Sequence, residues 1–293
     1  MRLPDFLIIG GAKSGTTTLY QYLCRHPQVY LSTPKEPDFF AVDTQFAQGI
    51  NWYSSLFNEA KPEQVCGEAS TTYSRSQQHP RAAERIAQAL PNVKLIYIMR
   101  HPVNCAYSFY VHKQKEGWRH QKKSFETFEQ TIEHQSEFLD SSYYLKQITK
   151  FLQFFPQESF LFLLMEDLIQ QPVNTIKKTL DFIKVDSKID LIQKGLIVAN
   201  KAQDHSEWFI RQQLMSPWKK IPGAIQAKAL LSQTARDRCY QILKQLQYQQ
   251  WQKKQDLPPP MLPETRQILL EKYRQPNQQL ADFLQRDLSH WNS

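Results

Sequence analysis

Glycine is scarce in this chain, with 8 copies in 293 residues, so a collagen-like or glycine-rich linker architecture is excluded and any local glycine cluster stands out. Cysteine is scarce as well. Its four copies, Cys24, Cys66, Cys105 and Cys239, form no CxxC pair and cluster with no histidines, so free thiols and no structural metal are expected. Long apolar runs are missing: a stretch such as Phe160 to Met165 falls far short of the roughly 18 to 20 residues needed to cross a bilayer. The apolar run that follows Met1-Arg2-Leu3-Pro4-Asp5 is closed by Gly10, too soon for a secretion signal, and the expectation is a cytoplasmic protein, of bacterial type, without a membrane span. Acidic residues are in deficit, 28 against 36 lysines and arginines for a net charge of +8, which favours anionic partners and leaves nucleotides, polyanions and nucleic acid open.

What is present belongs to a globular protein. An apolar fraction of 41% with 12% aromatics supports a sizeable core, and the length fits two domains or one large α/β domain. Phe6-Leu7-Ile8-Ile9 before Gly10-Gly11 reads as a buried parallel strand feeding a turn. Thr16 to Arg25 follows with Leu19, Tyr20 and Leu23 on one stripe and His26-Pro27 as its stop, a short helix. Val29 to Leu31, Gln64 to Gly67, Lys94 to Met99 and Phe160 to Met165 read as further strands. Pro80 to Leu90, Val103 to Glu116 and Val173 to Ile183 read as helices. Strands alternating with helices imply a parallel sheet. From about 190 to 260 the chain turns glutamine-rich, as in Gln241 to Gln255, and is read as a helical extension or lid within a single domain spanning 1–293. Two amphipathic helices, Pro263 to Tyr273 and Asn277 to Leu288, are expected to close the fold.

Three of the eight glycines, Gly10, Gly11 and Gly15, fall within six residues between the first strand and the first helix. Glycines let backbone N–H groups wrap an anion at a helix N-terminus. Lys13, Ser14, Thr16, Thr17 and Thr18 add more donors than helix capping requires. The loop differs from G-x-x-x-x-G-K-[ST]: Gly10 and Gly15 keep the spacing, but Thr16 stands where the lysine belongs and the lysine is at 13,. A triphosphate site also wants a Mg²⁺ carboxylate at the end of a neighbouring strand, whereas Lys94 to Met99 runs into Arg100-His101-Pro102. An arginine there suits a monoester phosphate, with Ser108 about two helical turns on to complete a second cradle. Two anion sites on one sheet suggest a nucleotide phosphorylated at both its 5′ and 3′ ends.

GGAKSGTTTL, KEPDFF, GEASTTYS and IYIMRHPVNCAYSFY resemble the sulfotransferases that use 3′-phosphoadenosine-5′-phosphosulfate (PAPS), in particular the carbohydrate type related to heparan sulfate sulfotransferases. The resemblance runs from Phe6 to about Glu116, continues through FLFLLMEDLIQQP, fades between about Asp186 and Pro260, and returns in LLEKYRQPNQQLADFLQRDLSHW. It implies an α/β, P-loop-like three-layer fold with a central parallel sheet flanked by helices, plus a C-terminal helical extension. It also implies transfer of a sulfuryl group from PAPS to a hydroxyl acceptor, a saccharide or other small alcohol, with adenosine 3′,5′-bisphosphate as product and no metal. On this resemblance Lys13 assists departure of the bridging oxygen, Ser14, Gly15, Thr16, Thr17 and Thr18 bind the 5′ phosphate, and Arg100 and Ser108 grip the 3′ phosphate.

An attacking hydroxyl must lose its proton to a base within hydrogen-bond reach. Glu68, expected at the carboxyl edge of the sheet where ligands bind in open α/β folds, matches the catalytic glutamate; from position alone it is equally a capping or surface carboxylate. Lys35 and Glu36 match a segment at the acceptor cleft, against a solvated charge pair as the plain alternative. His26 and His101 are read as loop or structural histidines rather than bases. A basic run around Trp118, Arg119, His120, Lys122 and Lys123 suits an acidic glycan or simply a solvated face, and Trp208, Trp218 and Trp251 stay unassigned. Asn200-Lys201 opens the region where related enzymes place a lid. Two readings of other classes stand beside this one: a Mg²⁺-dependent nucleotide kinase with a degenerate loop, and a non-enzymatic basic binder of nucleotides or nucleic acid.

Overall fold

Every short apolar run named above becomes a parallel strand. In a computed structural model, which describes residues 1–121, 126–189, 191, 258 and 260–293, the strands are β1 (Phe6–Gly10), β2 (Val29–Leu31), β3 (Val65–Ala69), β4 (Lys94–Met99) and β5 (Phe160–Leu164). They form one sheet in the order β2-β3-β1-β4-β5, with every pair parallel. All five residues of β1 are buried, as expected for the central strand of a sheet covered on both faces.

Alternation along the strands assigns the two faces. Leu7, Ile9, Cys66, Leu95, Tyr97 and Met99 meet α4 (Ala82–Ala89) and α8 (Tyr144–Leu152) on one side. Phe6, Ile8, Ala69, Ile96 and Ile98 meet α1 (Thr16–Leu23) and α10 (Pro172–Ile183) on the other. The result is a three-layer α/β/α domain. Short helices α2 (Asp43–Phe46) and α3 (Gly49–Ser55) lie between β2 and β3 and bring Phe46, Trp52 and Tyr53 to the first face. The helix α5 (Pro102–Gln121) starts directly after β4, with proline in its first turn where the missing N–H costs nothing,. Beyond it lie α6 (Phe128–His134), α7 (Glu137–Asp140) and, after β5, α9 (Met165–Gln170).

The chain's last long segment corrects an expectation. Instead of two helices broken near residue 276, one helix runs over Pro263–Leu284 with Pro276 inside it. An interior proline loses one backbone bond and crowds the preceding turn. Here Tyr273, Asn277 and Leu280, one stripe on both sides of that proline, are all buried against the α5 and α8 side of the domain, and this burial outweighs the defect. The expected extension over about 190–260, including Asn200, Lys201, Trp208, Trp218, Cys239 and Trp251, lies outside the described residues, as do Lys122, Lys123 and the side chains of Trp118, Arg119 and His120. Among the described residues no helix is long and apolar enough to cross a membrane.

Candidate active site

The loop from Gly10 to Gly15 leaves the carboxyl end of the central strand. Its first amide is tied to the neighbouring strand, Gly11 N–H donating to the Ile98 carbonyl at 2.6 Å. It then tightens through Ser14 N–H to the Gly11 carbonyl at 3.2 Å. Gly15 occupies the position before α1 in a left-handed conformation, φ 97°, and no side chain caps the helix. A left-handed backbone there demands glycine, and the uncapped first turn leaves its N–H groups and partial positive charge for another acceptor. At Gly10 a methyl group would overlap Ser74 Oγ and the Tyr97 ring, so the turn is in tight contact with the segment after β3.

The expected donor residues take different postures in this loop. Lys13 is half-buried and adopts a positive φ of 59°. Thr17 and Thr18 are half-buried and Thr16 is buried. Ser14 points inward: its side chain is fully buried, with Oγ 3.4 Å from the Ala12 carbonyl and 3.8 Å from Cys105 Sγ. The Cys105 thiol in turn donates to Ala12 O at 3.0 Å, so α5 supports the loop from below. Arg100 follows β4 at 8% exposure, and its Nη1 donates to the Lys13 carbonyl at 3.4 Å. The Tyr144 hydroxyl donates to Arg100 O at 2.7 Å and fixes the arginine's backbone. The two expected anion sites are thereby neighbours, Arg100 touching the loop and Ser108 half-buried two turns along α5.

One strand over, on β3, Glu68 pairs in register with Leu7 of β1. It is the penultimate residue of β3, and its side chain is completely buried rather than open at the sheet edge. The hydroxyls of Tyr53 and Tyr73 donate to its Oε2 at 2.7 and 2.8 Å. Burial pushes the Glu68 carboxyl up to about 7, partly opposed by hydrogen bonding from Ser70, Tyr53 and Tyr73. Beside it, Asp38 N–H donates to Ser70 Oγ at 3.1 Å and the Thr72 hydroxyl donates to the Asp38 carboxylate. Burial also raises the Asp38 pKa. Lys35 and Glu36 form an ion pair with each other, 21% and 36% exposed, and the Glu36 N–H binds the carbonyl of Ala69 at the end of β3 at 3.0 Å.

The model of the sulfotransferase domain family matches residues 3–221. The chain belongs to the sulfotransferase domain family. It is 30% identical over 196 residues to heparan sulfate glucosamine 3-O-sulfotransferase 5 of Mus musculus, a match covering 64% of this chain and 55% of that protein. It is 37% identical over 123 residues to bifunctional heparan sulfate N-deacetylase/N-sulfotransferase 2 of Homo sapiens, covering 40% of this chain and 14% of that one. The chain thus spans about half the length, or less, of these curated relatives. In fold it resembles the crystal structure of a sulfotransferase from Alicyclobacillus acidocaldarius, at 20% identity over the whole of both chains with a TM-score of 0.67.

In this sulfotransferase domain the two histidines have different surroundings. The His26 ring contacts the Asp186 carbonyl through Nε2 at 2.9 Å and receives the Gln28 N–H on Nδ1 at 3.2 Å, a structural pairing. His101 is buried, and desolvation together with Arg266 and Arg100 pushes it down to about 4, so it stays neutral at physiological pH. Sequence reasoning missed Asp38, Tyr53 and Tyr73. Tyr73 lies inside GEASTTYS and Asp38 inside KEPDFF, so both were in view. Tyr53 comes from a segment that carried no signal.

Proposed function

We propose that this sulfotransferase domain moves a sulfuryl group from PAPS to a carbohydrate hydroxyl, giving an O-sulfate ester and adenosine 3′,5′-bisphosphate. The observation that carries the reading is a buried carboxylate, near neutral in its proton affinity, one strand away from an uncapped glycine loop. General-base work at neutral pH asks for that proton affinity. The residues present fit the donor: Gly15 provides a backbone that no other residue adopts cheaply, and Arg100 lies against the loop. When bound, PAPS supplies a sulfuryl group activated by its anhydride to phosphate. Lys13 and the amides of Gly15 to Thr18, with the hydroxyls of Thr16, Thr17 and Thr18, would neutralise charge on the 5′ phosphate. Ser14, its hydroxyl turned inward, would act through the backbone. Arg100 and Ser108 would hold the 3′ phosphate.

On the acceptor side Glu68 takes the proton of the attacking hydroxyl, and Lys35 and Glu36 meet neighbouring sugar hydroxyls. Glu68 is sealed from solvent, and beside it the hydrogen bonds of Asp38 with Ser70 and Thr72 join the segment after β2 to that after β3. The names of the curated relatives, which act on heparan sulfate, support a saccharide.

Calorimetric titration tests the donor site directly. Adenosine 3′,5′-bisphosphate is expected to bind without metal, and Arg100→Ala to weaken it by about tenfold or more, the worth of one charge-assisted pair. Preference for ATP with Mg²⁺ would overturn the reading in favour of a kinase.

A further inference from the structure

The two oxygens of Glu68 stand in unequal circumstances. Oε2 accepts two hydroxyl hydrogen bonds, from Tyr53 at 2.7 Å and from Tyr73 at 2.8 Å. Oε1 is buried and has no hydrogen-bond partner of ordinary geometry. A buried carboxylate oxygen left without a hydrogen bond carries a desolvation cost, and an apolar side chain would fill an aromatic core without that cost. The residue is therefore not explained by packing.

The two donors reach Oε2 from separate elements, Tyr53 from α3 and Tyr73 from the segment after β3. Both rings are fixed by other rings. Tyr53 stacks on Phe39 at 4.5 Å and 12° and meets Phe40 and Phe57 edge-on at 5.0 and 5.6 Å. Tyr73 meets Phe40 edge-on at 5.7 Å. Such contacts hold each hydroxyl to one place, and two donors on one oxygen resist exchange of the carboxylate oxygens by rotation.

We propose that Tyr53 and Tyr73 are positioning residues that hold Glu68 by Oε2, so that Oε1 is the atom that takes the acceptor's proton. This inference rests on Glu68 being the base of the proposed function. The same two bonds favour the charged carboxylate over the acid. Among the described residues, the ionisable groups that act on Glu68 are these two tyrosines and Asp38, which opposes its ionisation. Burial holds both tyrosine hydroxyls well above their ordinary pKa, so they remain donors throughout the range in which Glu68 titrates. Without them Ser70 remains as the other hydrogen-bonding influence on the carboxyl, and a smaller fraction of it is ionised at neutral pH.

Tyr53→Phe and Tyr73→Phe, singly and together, keep the rings and remove the donors. Infrared difference titration of the nucleotide-free chain isolates the carboxylate band that Glu68→Gln abolishes. Its midpoint, expected near 7 in the wild type, should rise by about one pH unit or more in each Phe variant, the worth of one hydrogen bond to a charged group. The acid limb of PAPS-dependent transfer to a heparan sulfate oligosaccharide is expected to rise with it, while affinity for adenosine 3′,5′-bisphosphate stays unchanged. An unmoved midpoint in both variants overturns the proposal. Should a Phe variant lose its cooperative melting, fluorotyrosine at the same position, a stronger donor, must move the midpoint down; no movement would again overturn it. The two levels separate cleanly. Full turnover by Glu68→Gln removes the base and the positioning role together, whereas an inactive Glu68→Gln beside Phe variants of wild-type titration and pH profile removes the tyrosine role alone.

Discussion

The loop after β1 and the surroundings of Glu68 lie on adjacent strands, yet they are built in opposite ways. The loop is made from consecutive residues, Gly10 to Thr18, and works through backbone: a left-handed Gly15, an amide tied to Ile98 and an uncapped helix end. The Glu68 site is gathered from Asp38, Tyr53, Ser70 and Tyr73, and works through exclusion of water and two aimed hydroxyls. On the proposed function, one region would stabilise charge that arrives with a ligand. The other would withhold solvent from a charge the protein itself carries. If the two are independent, a change in one leaves the other's observable untouched.

The largest effect is expected from Glu68→Gln. Turnover of PAPS with a heparan sulfate oligosaccharide should fall by about 10²–10⁴-fold, the usual worth of a general base, with calorimetric affinity for adenosine 3′,5′-bisphosphate preserved. A parallel loss of nucleotide affinity would break the comparison, because the base would then be supporting the loop.

Stability carries the next effect, and its direction follows from the raised pKa. Folded Glu68 holds its proton to about 7 while the unfolded group releases it near the ordinary carboxyl value of 4.5. Between those values the folded chain binds more protons than the unfolded one, so its stability falls as pH rises. The contribution is fully present below the lower value and is lost as pH climbs through the upper, on the order of 3 kcal/mol in all. Denaturant unfolding at pH 5 and pH 8 should show this decline in the wild type and a weaker one in Glu68→Gln. An equal decline in both would place the titration elsewhere.

Gly15→Ala addresses the other region. A methylated residue forced to φ 97° costs about 1–2 kcal/mol, and nucleotide affinity should fall by about tenfold as the loop relaxes, each 1.4 kcal/mol being worth a factor of ten. The infrared midpoint of Glu68 should not move. A shifted midpoint would mean that the turn sets the protonation of the neighbouring strand.

The same contrast explains what the sequence made legible. β1, β4 and β5 announced themselves because buried parallel strands are nearly continuous apolar runs, and the glycine cluster was visible because its residues are contiguous. Glu68 was found by likeness of motif, but its burial was not foreseen. Tyr53, which covers Glu68, is carried by the short helix α3, too brief to leave a helical period in the sequence. The break expected near Pro276 failed for a related reason. Local propensity opposed a continuous helix, and tertiary burial of Tyr273 and Leu280 overrode it.

The smallest expected effect lies at the seam between the two regions. Asp38 is the weakest of the influences on Glu68, and it raises the carboxyl's pKa through charge repulsion. It also accepts the Thr72 hydroxyl and, through its N–H, binds Ser70, so Asp38→Asn retains the shape of the segment while removing the charge. The Glu68 midpoint should then fall by less than about one pH unit, opposite in sign to the tyrosine variants, with no change in nucleotide affinity. A rise instead would mean that the Ser70 and Thr72 hydrogen bonds had collapsed.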